Sequence, residues 1–129
     1  MSTFPASLQR PALLEFAAAL CSRDNALKRE ECGDWAIAGR AGHIFAYAPG
    51  RYQIFVMGWS TKGWNVAKQA LAFARLCNDG EDQGGFFLDR LPTKAEATAI
   101  RHWLGIPKKR TVSADELARL RSQGFAKAA

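Results

Sequence analysis

The chain has 129 residues, of which 48% are hydrophobic and 23% charged, and its formal net charge is +6. This composition excludes an intrinsically disordered chain, and the length predicts one domain over positions 1–129. No apolar run approaches the length of a membrane span, and residues 1–5 lack the basic and apolar regions of a signal peptide. We therefore expect a cytoplasmic protein without a membrane partner.

The cysteines and the distribution of charge bound the chemistry further. Cys21, Cys32 and Cys77 are odd in number, far apart and never in a CxxC pair, which predicts reduced thiols rather than a disulfide framework. Cys21 and Cys77 fall on apolar helical stretches, so we expect small core residues there. Residues 1–89 hold nine basic and nine acidic side chains, whereas residues 90–129 hold nine basic and three acidic ones, and nine minus three gives the whole +6.

The N-terminal part of the chain is predicted to contain one helix. This amphipathic helix runs from Pro11 to Cys21, with the proline near its start, where its missing backbone donor is tolerated. Residues 22–33 are polar and balanced in charge, so they are predicted to form a connector.

A meander of three strands is predicted next, at residues 34–38, 43–48 and 52–59, with tight turns at Gly39–Gly42 and Pro49–Gly50. A two-residue turn at Pro49–Gly50 would pair Tyr47 with Tyr52, Phe45 with Ile54 and His43 with Val56 on one side of the sheet, and Ile44 with Phe55 on the other. A longer loop would slip the register by one and exchange the faces. Because neither face is polar, we expect both to be covered at least in part.

Helical signals dominate the rest of the chain. A helix capped by Ser60 or Thr61 is predicted to carry an apolar stripe from Trp64 to Cys77 and to end at Asn78–Gly80. Phe86–Leu88 is predicted as a short buried strand beside the meander.

Two capped helices complete the predicted fold. The first begins with the capping box Thr93–Glu96 and ends at Gly105, and the second begins with Ser113–Glu116 and ends at Gly124. The result is an α+β fold in which helices pack on a small three- or four-stranded antiparallel sheet (a β-meander). A central sheet–helix unit spans residues 34–78, and a basic helical segment spans residues 92–125.

The basic segment motivates the first functional hypothesis, a non-enzymatic protein that binds nucleic acid or acts as an accessory to its transactions. Clustered lysine and arginine side chains release counterions from a phosphate backbone, and the charge asymmetry favours an acidic partner. The predicted phosphate-contacting residues are Arg101, Lys108, Lys109, Arg110, Arg119 and Arg121. Three strands followed by a helix is also an element order of some DNA-binding sheets, which could expose Arg40, Arg51 and Gln53. The choice between DNA and RNA stays open.

Two other classes of function remain open at this point. The excess of aromatic residues also suits a protein-interaction module, such as an adaptor or inhibitor from a bacterium or a mobile element, with Trp59, Trp64 and Phe125 as candidate partner contacts. A cysteine-dependent enzyme would need Cys32 beside a histidine. We find no nucleotide-binding or hydrolase motif, so no catalytic residue, cofactor or metal ligand is assigned, and a non-enzymatic protein is favoured.

Overall fold

The structure is a computed structural model, and it describes residues 4–22, 26–31 and 33–109. The helices and strands of these ranges are α1 (Ala6–Leu20), β1 (Leu27–Arg29), β2 (Trp35–Gly39), β3 (Gly42–Ala48), β4 (Arg51–Val56), α2 (Thr61–Ala70), β5 (Arg75–Asp79), β6 (Gly84–Leu88) and α3 (Lys94–Leu104). The α+β class is confirmed. The second predicted C-terminal helix lies outside the described residues.

The six described strands form one sheet in the order β1-β2-β3-β4-β6-β5, and every neighbouring pair is antiparallel. The predicted count of three or four strands was therefore too low. The predicted connector contains β1, where Leu27 pairs with Ile37 and Arg29 with Trp35. The predicted fourth strand is confirmed as β6, which lies directly beside β4.

The prediction of one helix through Cys77 was wrong, because α2 ends at Ala70 and the chain turns into the edge strand β5. Leu71 and Ala74 are buried, so the apolar spacing that suggested a helix reflects real burial, but these residues lie in the turn. The next residues form a strand despite their helical spacing, because their backbone pairs with β6. All five residues of β5 are exposed, and this includes Cys77, which is not a core residue.

The predicted pairing of β3 with β4 was also wrong by one residue. Ala48 pairs with Arg51 around the predicted two-residue turn, but Ala46 pairs with Tyr52 and Ile44 with Ile54. The register shifts between Ala46 and Ala48, so Tyr47 is an extra residue on β3, as in a β-bulge. Compared with the predicted register, the bulge places His43 and Phe45 on the same face as Phe55 rather than on the same face as Ile54.

One face of the sheet holds the core beneath the helices. The ring of Phe16 on α1 lies 4.5 Å from that of Tyr52, and the ring of Trp64 on α2 lies 5.6 Å from that of Phe86. Tyr52, Ile54 and Phe86 share this face through the alternation of β4 and its register with β6. The buried residues of all three helices join one cluster here. All three described helices lie on this face, whereas the aromatic side chains of the other face are partly buried.

The ends of helices α1 and α3 can be compared with the predicted helix starts and stops. Helix α3 has the predicted capping box between Thr93 and Glu96, and Gly105 ends it in the left-handed conformation at φ 67°. Ile106 behind it is buried, as a glycine C-cap contact requires. Helix α1 begins at Ala6, five residues before the predicted start, and therefore contains Pro11.

Candidate nucleic-acid interface

The second face of the sheet carries a surface of aromatic side chains. Its rows follow from the register: one consists of Phe45, Gln53, Phe87 and Arg75, and the next of His43, Phe55, Gly85 and Asn78. Neighbouring positions in a row lie about 4.8 Å apart, and the rows lie about 7 Å apart along the strands. A linear ligand could therefore cross several strands while contacting one row.

We call five residues of this surface the aromatic face: His43, Phe45, Tyr47, Phe55 and Phe87. All five are partly exposed, and none belongs to the core cluster or to the residues packed against it. His43, Phe45 and Phe55 form one group, with ring centroids 4.9 Å, 5.1 Å and 6.0 Å apart. Tyr47 and Phe87 form a second group at 5.0 Å. The sheet thus offers two separate places where a flat ring could stack.

Polar and cationic side chains border these two groups. The guanidinium carbon of Arg75 lies 5.2 Å from the centroid of Phe87. Arg51 is exposed at the start of β4, on the same side of that strand as Gln53. Gln53 occupies the position between Phe45 and Phe87, and its amide nitrogen contacts the Cys77 sulfur at 3.8 Å. Gln53 and Arg51 therefore lie on the side of the sheet that faces away from the core.

Burial shifts the pKa of the two titratable groups of the aromatic face, His43 and Tyr47. It lowers the pKa of His43, against a smaller upward effect of Glu30, so the imidazole is favoured in its neutral form. It raises the pKa of Tyr47, helped by Asp89, which accepts a hydrogen bond from the phenol at 3.3 Å. Both rings are therefore uncharged near neutral pH.

Of the predicted phosphate contacts, those in the described residues lie near one end of the sheet. Arg101 lines a pocket of about 470 Å³ together with Arg40 and His102. Arg101 also donates to the Leu20 carbonyl and to Thr98, so its guanidinium is held in place.

Lys108 and Lys109 follow this pocket along the chain. Both are exposed, and the Lys109 backbone donates to the Cys21 carbonyl. Arg110, Arg119 and Arg121 lie outside the described residues. The structure thus brings together half of the predicted basic set and adds Arg40.

The predicted protein contacts have a different outcome. Trp64 is fully buried against Phe86, so it belongs to the core. Trp59 is partly buried, and its indole donates to the Trp103 carbonyl at 2.9 Å. Phe125 lies outside the described residues. Within the described residues, the exposed part of Trp59 is what remains of the predicted contact surface.

The cysteines and the potential metal ligands bear on the enzymatic alternative. Cys21 and Cys77 are free and exposed, so the prediction that they are core residues was wrong, and Cys32 lies outside the described residues. Within residues 4–22, 26–31 and 33–109, no three His, Cys, Asp or Glu side chains converge on a potential metal site. No helix in those ranges is long and apolar enough to cross a membrane.

Comparison of the chain with protein-family models, with curated proteins and with solved structures finds no match. Function must therefore be argued from the site alone. The sequence signal for the aromatic face was present in part: alternation places His43, Phe45 and Tyr47 on one side of β3. Linking them to Phe55 required the bulge at Tyr47, which no sequence pattern revealed.

Proposed function

We propose that the protein binds single-stranded nucleic acid, with bases stacked on the aromatic face and phosphates contacted by the surrounding cations. The observation that carries this proposal is the pair of aromatic groups on the solvent-facing side of the sheet, bordered by Arg51 and Arg75. Aromatic platforms beside cations bind single strands because every base offers a flat π-surface and every linkage a negative charge.

Stacking on the aromatic face alone does not supply the binding free energy of a micromolar complex. A stacked base contributes about 1–3 kcal/mol, so two stacking places supply about 2–6 kcal/mol. A micromolar Kd corresponds to about 8 kcal/mol. Phosphate contacts must supply the difference. We assign this role to Arg51 and Arg75 beside the aromatic face, and to Arg40, Arg101, Lys108, Lys109, Arg110, Arg119 and Arg121 where the strand leaves that face. Binding should therefore weaken steeply as salt rises.

The aromatic face also favours single strands over duplexes. In a duplex the bases are already stacked on each other, and their faces are closed to a flat protein surface. Unpaired bases can be splayed out onto aromatic side chains. RNA and single-stranded DNA share this chemistry, and the experiment separates them.

The deciding experiment is a fluorescence anisotropy titration with labelled single-stranded DNA, single-stranded RNA and duplex DNA at about 50 mM and about 200 mM salt. We expect single strands to bind more tightly than the duplex, with affinity falling steeply between the two salt concentrations. Equal or tighter duplex binding, or no binding at low salt, would overturn the proposal.

A charge variant tests the basic segment separately. Replacing Lys108, Lys109 and Arg110 by glutamine should reduce the salt slope by about 0.7 per lost phosphate contact, or about two in total. The matched control replaces Lys62 and Lys94, which are exposed on α2 and α3. An unchanged slope in the first variant would remove the linker residues from the interface.

A protein-interaction module remains the second candidate, and a separate groove favours it. This groove has a volume of about 430 Å³, and it is lined mainly by α1 and by the loops that follow β3 and β6. Leu8 and Leu91 line it with 52% and 36% of their surfaces exposed. The replacement Leu8→Glu should abolish binding of a partner peptide there and leave nucleic-acid binding unchanged.

The proposed location is the cytoplasm. Cys21 and Cys77 are free thiols in the described part of the chain, which supports a reducing compartment.

A further inference from the structure

A pocket of about 160 Å³ opens beside the aromatic face where β4 ends and β5 turns into β6. Its lining residues are Phe55, Val56, Met57, Asn78, Gln83 and Gly84. Phe55 is the only one of the six that belongs to the aromatic face. The pocket therefore continues the surface on which a base would stack.

Glycines shape this pocket. Gly85 lies between Phe55 and Asn78 in the same row, and a Cβ on Gly85 would come within 3.2 Å of two Phe55 ring carbons. The missing side chain leaves the Phe55 ring room to lie over β6. Next to it, a Cβ on Gly84 would clash with the Asn78 carbonyl and with the Trp64 ring. The backbone at Gly84, which lines the pocket, is thus packed closely against α2.

The turn and its neighbours hold the pocket walls in position. Gly80 donates its backbone N–H to the Gln83 carbonyl at 2.8 Å, which closes the turn between β5 and β6. Asp79, next to Asn78, accepts hydrogen bonds from the Trp64 indole at 2.9 Å and from Lys68 at 3.1 Å. Asn78 and Gln83 are therefore carried by an anchored segment.

Two amide groups of the pocket are available to a ligand. The side chains of Asn78 and Gln83 are exposed, and neither makes a hydrogen bond with another residue in the described ranges. Each amide offers two N–H donors and one carbonyl acceptor. No lysine, arginine, aspartate or glutamate lines the pocket.

We propose that this pocket receives the edge of a base stacked on Phe55 and favours adenine over guanine and cytosine, an inference that rests on the proposed binding of single strands. Adenine presents an amino donor beside a ring-nitrogen acceptor, and an Asn or Gln amide presents the complementary acceptor and donor. Guanine is read best by arginine or lysine and cytosine by a carboxylate, and the pocket contains neither. The amide pair thus supplies base preference, while Phe55 supplies affinity for any base.

The test compares pyrimidine single strands that carry one central adenine, guanine or cytosine. The wild-type protein should bind the adenine strand about tenfold more tightly than the others, as one good bidentate contact allows. Asn78→Ala and Gln83→Ala should each reduce this preference and leave the affinity for the all-pyrimidine strand unchanged. Asn65→Ala, which removes an exposed amide from α2, is the matched control and should keep the preference.

The outcomes separate this inference from the function on which it rests. Tight binding of all strands with equal affinity, or preference for guanine or cytosine, would overturn the pocket assignment and leave single-strand binding intact. A preference for adenine that survives both alanine variants would also overturn it. Failure to bind any strand at low salt would overturn the proposed function itself.

Discussion

Replacing Phe87 by leucine tests whether the aromatic face acts through stacking. Leucine keeps an apolar side chain on β6 but removes the flat ring that lies 5.0 Å from Tyr47. A stacked base contributes about 1–3 kcal/mol, which corresponds to roughly 5- to 150-fold in Kd. We expect affinity for a single strand to fall within that range, measured by anisotropy or calorimetry at low salt.

The same replacement also affects the free protein, so stability must be measured alongside. Leucine removes the ring contact with Tyr47 and the contact with Arg75 at 5.2 Å. These contacts contribute about 0.5–1.5 and about 0.5–1 kcal/mol, so the free energy of unfolding should fall by about 1–2.5 kcal/mol. Val66→Ala on α2 is the control, because Val66 is 48% exposed and away from the sheet face. Affinity within twofold of wild type for Phe87→Leu would refute stacking at this position.

Three further predictions concern stability. Trp64→Ala should lower the free energy of unfolding, measured in urea titrations, by about 3–5 kcal/mol, and Trp64→Phe should lower it by less. A loss below about 1 kcal/mol for Trp64→Ala would contradict full burial of this side chain. The hydrogen bonds from Arg90 lower the pKa of Glu96 from 4.5 to about 2, so wild type should lose more stability between pH 4.5 and 2 than Glu96→Gln does. Parallel stability curves for the two proteins would contradict this. Burial lowers the pKa of His43, so as the pH falls below 6.5 the melting temperature should decrease more in wild type than in His43→Gln. An equal decrease in the two proteins would exclude this effect of His43.

Local chemistry made some elements predictable from the sequence. The capping box of Thr93 and Glu96 and the glycine stop at Gly105 depend on neighbouring residues only, and the structure contains both. The two-residue turn at Pro49–Gly50 is of the same kind, since Ala48 pairs with Arg51 around it.

Elements that exist through tertiary pairing were not predictable in this way. Strand β1 is mostly exposed and charged, and it is a strand because Leu27 to Arg29 pair with β2. Strand β5 is exposed throughout and is stabilised by its pairing with β6.

The candidate site shows the same contrast between features visible in the sequence and features that depend on tertiary pairing. The charge count identified Arg101, Lys108 and Lys109 because clustering of charge is visible in the sequence. The aromatic face was missed as a unit, because a single bulge at Tyr47 decides whether Phe55 lies with His43 or on the opposite face. A one-residue register error is enough to distribute one surface over two faces.

The most direct measurement of the central claim is a two-dimensional NMR titration of labelled protein with a short single strand. The account predicts that the largest shifts occur in β3, β4 and β6, with upfield changes in the ring protons of Phe45, Phe55 and Phe87. It also predicts small shifts along the buried side of α1. Shifts confined to the helices, with unchanged ring protons on the aromatic face, would contradict the claim that this face binds bases.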